Sequence, residues 1–163
     1  MKIGVFYGST TGVTQEAAET IAEKLGADVK NVAEAEASDF DGYDVLVLGS
    51  STWGLGDLQD DWADFLPKVA SSNLSGKKIA LFACGDQVGY SDTFGDAIAE
   101  IHDQLASSGA AFIGAWPADG YEGTGRALKD GKFVGLMLDD NNQSDQTADR
   151  ISGWVDQIKG EMA

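Results

Sequence analysis

The sequence predicts a three-layer α/β domain built on a doubly wound, five-stranded parallel sheet. Two observations carry that expectation. The candidate strands are apolar on both faces, as a sheet covered by helices on both sides requires. Segments with an apolar residue every three or four positions separate them, as crossover helices do. The chain has 163 residues, which fits one domain, residues 1–163, with a sizeable core.

Lys2–Tyr7 reads as the first strand, and Val13, Ala17, Ile21 and Leu25 mark the helix that covers it. Val29–Val32 is a short second strand. "DVLVLGS", Asp44–Ser50, is the third. Trp62, Phe65, Leu66 and Val69 mark a helix, with a bend expected at Pro67. "KKIALFAC", Lys77–Cys84, is the fourth strand, and Phe94, Ala97, Ile98, Ile101 and Leu105 define the next helix. "AAFIGAW", Ala110–Trp116, is the fifth strand. An excursion rich in turn formers, Pro117–Gly131, follows before strand character resumes over Lys132–Asp139. Ile151, Trp154, Val155 and Ile158 give the final helix one apolar side. Right-handed crossovers narrow the topology without fixing the strand order. In such sheets ligands sit beyond the carboxyl ends of the strands. The loops after Tyr7, Ser50, Cys84 and Trp116 are therefore the candidate site.

The formal charge is −16, from 27 acidic and 11 basic residues. That field repels nucleic acid and anionic membranes and steers the protein toward a basic partner. No apolar run approaches a membrane span. The single cysteine, Cys84, excludes an internal disulfide. The amino-terminal segment runs into a strand rather than a secretory signal. It favours the cytoplasm, or an organellar stroma if a transit segment has been removed.

The first loop, "GSTTGVT", lies where a buried strand becomes a helix. The first amides of a helix lack intrahelical acceptors and favour an anion. Gly8 and Gly12 allow close approach or positive φ. The hydroxyls of Ser9, Thr10, Thr11 and Thr14 add donors without charge. The loop departs from the nucleotide-hydrolysing P-loop, because three residues separate its glycines and Val13 stands where a lysine is sought. A dinucleotide fingerprint is absent. A receiver domain needs acidic residues where Tyr7 and Gly49-Ser50 stand, and a cysteine phosphatase needs an arginine soon after Cys84. The expectation is a phosphate held by dipoles alone.

Two further loops, "SSTWGLGDLQDDW" and "CGDQVGYSD", each place one aromatic residue in a glycine-rich stretch at the same sheet edge. Trp53 and Tyr90 could sandwich a planar ring, worth about 0.5–1.5 kcal/mol per aromatic pair beyond area burial. The implied ligand has a phosphate at one end and a flat conjugated ring at the other.

On "GSTTGVT", "STWGLGDLQDDW", "GDQVGYSDTFGDA" and "DGKFVGLMLDDNNQSDQTADRISGW", the chain resembles flavodoxins of the long-chain class along essentially its whole length. The resemblance implies strand order 2-1-3-4-5, with the excursion interrupting strand 5. It also implies one noncovalent FMN, at the switch point for which flavodoxin is itself the reference example. It implies a low-potential one-electron carrier, working mainly between semiquinone and hydroquinone, rather than an enzyme with catalytic residues or a metal. By the same resemblance Ser9, Thr10, Thr11, Gly12, Val13 and Thr14 wrap the phosphate, with Thr52 nearby. Trp53 and Tyr90 cover the ring, and Gly54, Leu55 and Gly56 form the loop beside flavin N5. Asp86 receives the pyrimidine-ring N3-H and the backbone of Gly85, Asp86 and Gln87 meets its carbonyls, with Cys84 a small core residue near the flavin and Asp92 in or beside that loop. Asn141 stands near the ribityl chain. The implied partners are basic-faced redox proteins, such as a ferredoxin/flavodoxin reductase and a low-potential acceptor or donor. A monomer is expected, and the excursion is a candidate contact surface. The competing reading is an FMN-dependent reductase acting directly on quinones or nitro compounds. It needs a pocket over the ring, which stacking by both aromatics would block. His102 is expected at a helix edge, and Trp62 in the core.

Overall fold

The computed structural model describes residues 2–9, 12–53, 57–70, 72–89, 93–121, 125–129, 131–140 and 142–162, with backbone alone at 52–53 and 57–58. Strands β1 (Ile3–Gly8), β2 (Asp28–Asn31), β3 (Val45–Trp53) and β5 (Lys78–Cys84) pair in parallel, with β1 between β2 and β3, and β3 between β1 and β5. The fifth position is filled by two short strands. β6 (Ala111–Ile113) pairs with the first half of β5, and β10 (Leu136–Leu138) with the second half. Counted as full strands, the order is 2-1-3-4-5 with the fifth strand interrupted, as the sequence resemblance implied.

Consecutive residues divide between the two faces. Val5, Val47, Phe82 and Leu138 pack under α1 (Val13–Leu25) and α4 (Thr147–Met162), around Trp154. Phe6, Leu46, Leu48 and Leu81 pack under α2 (Asp60–Ala70) and α3 (Asp96–Leu105), with Trp62 and Phe65. Each of these large side chains stabilises the fold by about 1.5–3 kcal/mol when fully buried, so two-faced apolar strands suffice to specify three layers. Pro67 lies inside α2, which continues to Ala70. His102 is half-buried, its ring 4.3 Å from that of Phe112.

Two elements differ from the sequence pattern. β3 runs past Ser50 to Trp53 and turns back as the antiparallel β4 (Asp57–Leu58), pairing Thr52 with Leu58 and Trp53 with Asp57. A β-branched and an aromatic residue favour this extension. The stretch Lys132–Asp139, expected as one strand, divides between two sheets. β9 (Lys132–Phe133) joins β7 (Trp116–Pro117) and β8 (Leu128–Lys129) in a small antiparallel sheet within the excursion, and β10 returns to the main sheet. Trp116, expected at the end of strand 5, therefore belongs to the excursion. Arg126 ties the excursion to α3. Its N–H donates to Asp96 Oδ1 at 2.8 Å, and its guanidinium donates to Asp103 at 2.9 Å and Glu100 at 3.3 Å. Tyr121 ties it to the core, donating to the Met137 carbonyl at 2.6 Å beneath the Arg150 guanidinium.

Candidate functional site

The carboxyl ends of β1, β3, β5 and β10 lie side by side and carry the site. At the end of β1, the Ser9 Oγ accepts the Gly12 N–H at 3.0 Å. This leaves the Ser9 hydroxyl proton available. Gly12 is the N-cap of α1 with φ 92°, a left-handed conformation that costs other residues roughly 1–2 kcal/mol. Among the described residues no side chain caps α1, so its first-turn amides face the loop without a local acceptor there. Thr14, one position inside α1, is 1% exposed and its Oγ1 has no hydrogen-bond partner among the described residues. A buried polar group left in that state costs about 1–3 kcal/mol.

Gly8 serves by its lack of a side chain. A Cβ there would stand 2.2 Å from Gln59 Oε1. Gln59 is itself buried, and its Oε1 accepts the N–H groups of Asp61 at 3.0 Å and Trp62 at 3.3 Å. The phosphate-loop backbone thus packs directly against the residue that caps α2. The β3–β4 hairpin brings the backbone of Thr52 and Trp53 to this same edge.

After β5, Asp86 organises the next turn. Its Oδ1 accepts from Val88 N–H at 3.0 Å, Gly89 N–H at 2.8 Å and Asn142 Nδ2 at 2.7 Å. Gly85 is half-buried and Gln87 is buried. The Gln87 N–H donates to Asp139 Oδ2 at 3.2 Å, and its Nε2 donates to Gln143 Oε1 at 2.7 Å. Val88 projects to solvent, 60% exposed. Cys84 is buried beside Thr14. Burial pushes its thiol up to about 12, and the Thr14 hydroxyl, near the sulfur but outside hydrogen-bonding geometry, draws it the other way. The thiol is therefore neutral at physiological pH. Native protein at pH 8 is expected to resist a thiol-specific disulfide reagent until it is unfolded. Stoichiometric labelling within minutes in the folded state would contradict the buried assignment.

The structure brings Ser9, Gly12, Val13, Thr14, Cys84, Gly85, Asp86 and Gln87 to one edge of the sheet. Thr10, Thr11, Gly54, Leu55, Gly56, Tyr90, Asp92 and Asn141 lie outside the described residues, as do the side chains of Thr52 and Trp53. Sequence reasoning missed Gln59, Asp139 and Gln143. Asp139 carried a signal, since an apolar run ending in "DDNNQ" at a strand's carboxyl end leaves a carboxylate in the site. It is fully buried and also accepts from Asn142. Gln59 and Gln143 have no such mark, because amides in loops are ordinary. A cleft of about 410 Å³ opens between α1 and the start of α4, bordered by Val13, Glu16, Asp140 and Thr147. Its two carboxylates disfavour a phosphate there. Among the described residues no helix is long and apolar enough to cross a membrane.

Among the described residues, an uncapped helix start, a buried hydroxyl without a hydrogen-bond partner and two flanking segments meet at the switch point with no cationic side chain, the class of sheet edge that suits an anionic mononucleotide. Comparison with known proteins specifies the class further. The family model described as Flavodoxin matches residues 5–154. The flavodoxin of Synechococcus elongatus is 45% identical, over 99% of this chain and 98% of its own. Flavodoxin 2 of Salmonella typhi is 44% identical, over 100% and 98%. The structure of Fusobacterium nucleatum flavodoxin bound to flavin mononucleotide superposes with a TM-score of 0.91 at 29% identity, covering 98% of each chain. The chain belongs to the flavodoxin family.

Proposed function

We propose that this protein is a low-potential one-electron carrier that holds FMN noncovalently and exchanges electrons with basic-faced redox proteins. The observation that carries the reading is the partnerless, buried Thr14 hydroxyl at the uncapped start of α1. It fits a phosphate oxygen, and the adjoining Ser9 hydroxyl and α1 amides fit the others. Thr10 and Thr11 would complete that cradle, Trp53 and Tyr90 would flank the ring, and the 85–87 backbone would meet its polar edge. Asn141 would stand by the ribityl chain. Bound FMN supplies the one-electron chemistry, and the protein sets its electronics. Asp60, Asp61 and Asp64 on α2 disfavour added negative charge at the neighbouring edge, which lowers the potential. The same acidic field steers a basic reductase or acceptor to that edge, an effect that weakens with salt.

Titration of the apoprotein with FMN tests the reading. Stoichiometric quenching of FMN fluorescence is expected, followed by stepwise one-electron reduction. Unquenched FMN, or rapid oxidation of a pyridine nucleotide by the lone protein, would reject it.

A further inference from the structure

The excursion and the 85–89 turn share one side chain. Gln143 sits between β10 and α4, and its amide is used at both ends. Its Oε1 accepts from Gln87 Nε2 at 2.7 Å, and its Nε2 donates to the Gly120 carbonyl at 3.0 Å. Gln87 is buried and held by Asp139 through its N–H, so its side-chain bond to Gln143 reports directly on the position of the turn. Gly120 is equally well anchored. Its carbonyl also accepts from Arg150 Nη2 at 3.5 Å, and the Arg150 guanidinium lies 4.0 Å from the centroid of the adjacent Tyr121 ring. Arg150 belongs to α4 and is buried. Arg150 thus holds the Gly120–Tyr121 part of the excursion to α4.

We propose that Gln143 is a positioning residue that transmits the placement of the excursion to the 85–89 turn, and through it sets the grip on FMN. The amide is suited to this because it accepts on one side and donates on the other. A carboxylate or an ammonium at the same position satisfies only one side. Partner contact with the excursion would then alter the turn without touching the cofactor. The FMN consequence rests on the function proposed above, whereas the mechanical link does not.

Hydrogen exchange of the apoprotein tests the link by itself. In Gln143→Ala the amides of 86–89 are expected to exchange about tenfold faster, while those of β1 and β3 stay unchanged. Gln143→Glu keeps the acceptor for Gln87 and loses the donor to Gly120. Exchange in this variant as fast as in Gln143→Ala supports transmission from the excursion. Exchange as slow as in the wild type overturns it, because the contact to Gln87 would then suffice alone. If Gln143→Ala itself leaves 86–89 unchanged, the positioning role fails. The FMN dissociation constant of Gln143→Ala is expected to rise about tenfold, equal to about 1.4 kcal/mol. An unchanged constant beside a loosened turn would overturn the coupling to FMN. Failure of the wild type to bind FMN would reject the cofactor reading and this coupling, with the exchange data still deciding the link.

Discussion

Gly135→Ala is expected to destabilise the domain by about 3 kcal/mol, the upper end of what overpacking costs. A Cβ at this position would stand 2.1 Å from the Leu81 carbonyl oxygen and 2.6 Å from its carbon. Those atoms are backbone of β5, which is paired on both sides and cannot give way. The chain at residue 135 must move instead, and β10 follows immediately, with Leu136 opposite Phe82 and Leu138 opposite Cys84. Losing that register would also displace Asp139 and Gln143, which hold the 85–89 turn. Denaturant unfolding checks this, with Gly160→Ala as the control. Gly160 lies in α4 with open space where its Cβ would be, so alanine there should stabilise by about 0.5–1 kcal/mol. A Gly135→Ala midpoint indistinguishable from wild type would show that the strand tolerates displacement.

Thr14→Val should move two properties in opposite directions. The substitution keeps the β-branched shape and removes the one buried hydroxyl of α1 that lacks a partner. Without cofactor, that removal relieves a desolvation cost, and the apoprotein should gain about 1 kcal/mol. With cofactor, the same hydroxyl is a donor to a charged phosphate, a bond worth about 1.5–3 kcal/mol. FMN affinity should therefore fall by about ten- to a hundredfold. Paired measurements of apoprotein stability and FMN quenching separate the terms. Loss of both together would mean that Thr14 is simply a packing residue. Riboflavin, which lacks the phosphate, should bind the variant and the wild type equally.

The layers of the sheet were legible in the sequence because burial on both faces leaves an unambiguous mark. Val5 and Phe6, or Leu46 and Val47, can all be apolar only where helices cover both sides. The strand-to-helix junction that holds Ser9, Gly12 and Thr14 was legible for a similar reason, since an apolar run that ends in glycines and hydroxyls marks a turn into a helix. The hairpin after Ser50 was not, because Thr52 and Trp53 read equally well as loop or strand until β4 supplies a partner. Gln59 and Gln143 escaped notice because their roles depend on what lies opposite them. Gln59 matters through Gly8, and Gln143 through residues 87 and 120. No periodicity encodes such long-range pairings. The division of residues 132–139 was hidden for the same reason, as β9 finds its partners in β7 and β8 of the excursion while β10 pairs with β5.

The two halves of the fifth strand have a bearing on engineering. Ile113 stands opposite Ala80 and Leu136 opposite Phe82, which leaves Leu81 as the single unmatched rung between them. Residue 135 already lies against that rung. A splice joining Ile113 directly to Gly135 would therefore restore an unbroken ladder, but excising residues 114–134 would also strip the buried Ala127 and Phe133 from the core and cut the Tyr121–Met137, Arg126–Asp96 and Gln143–Gly120 bonds. The ladder of the main sheet does not itself require the insert at that seam, whereas the packing under α3 and the 85–89 turn draw on it. Cargo of another length could be grafted there, leaving the nucleotide cradle's own strand untouched.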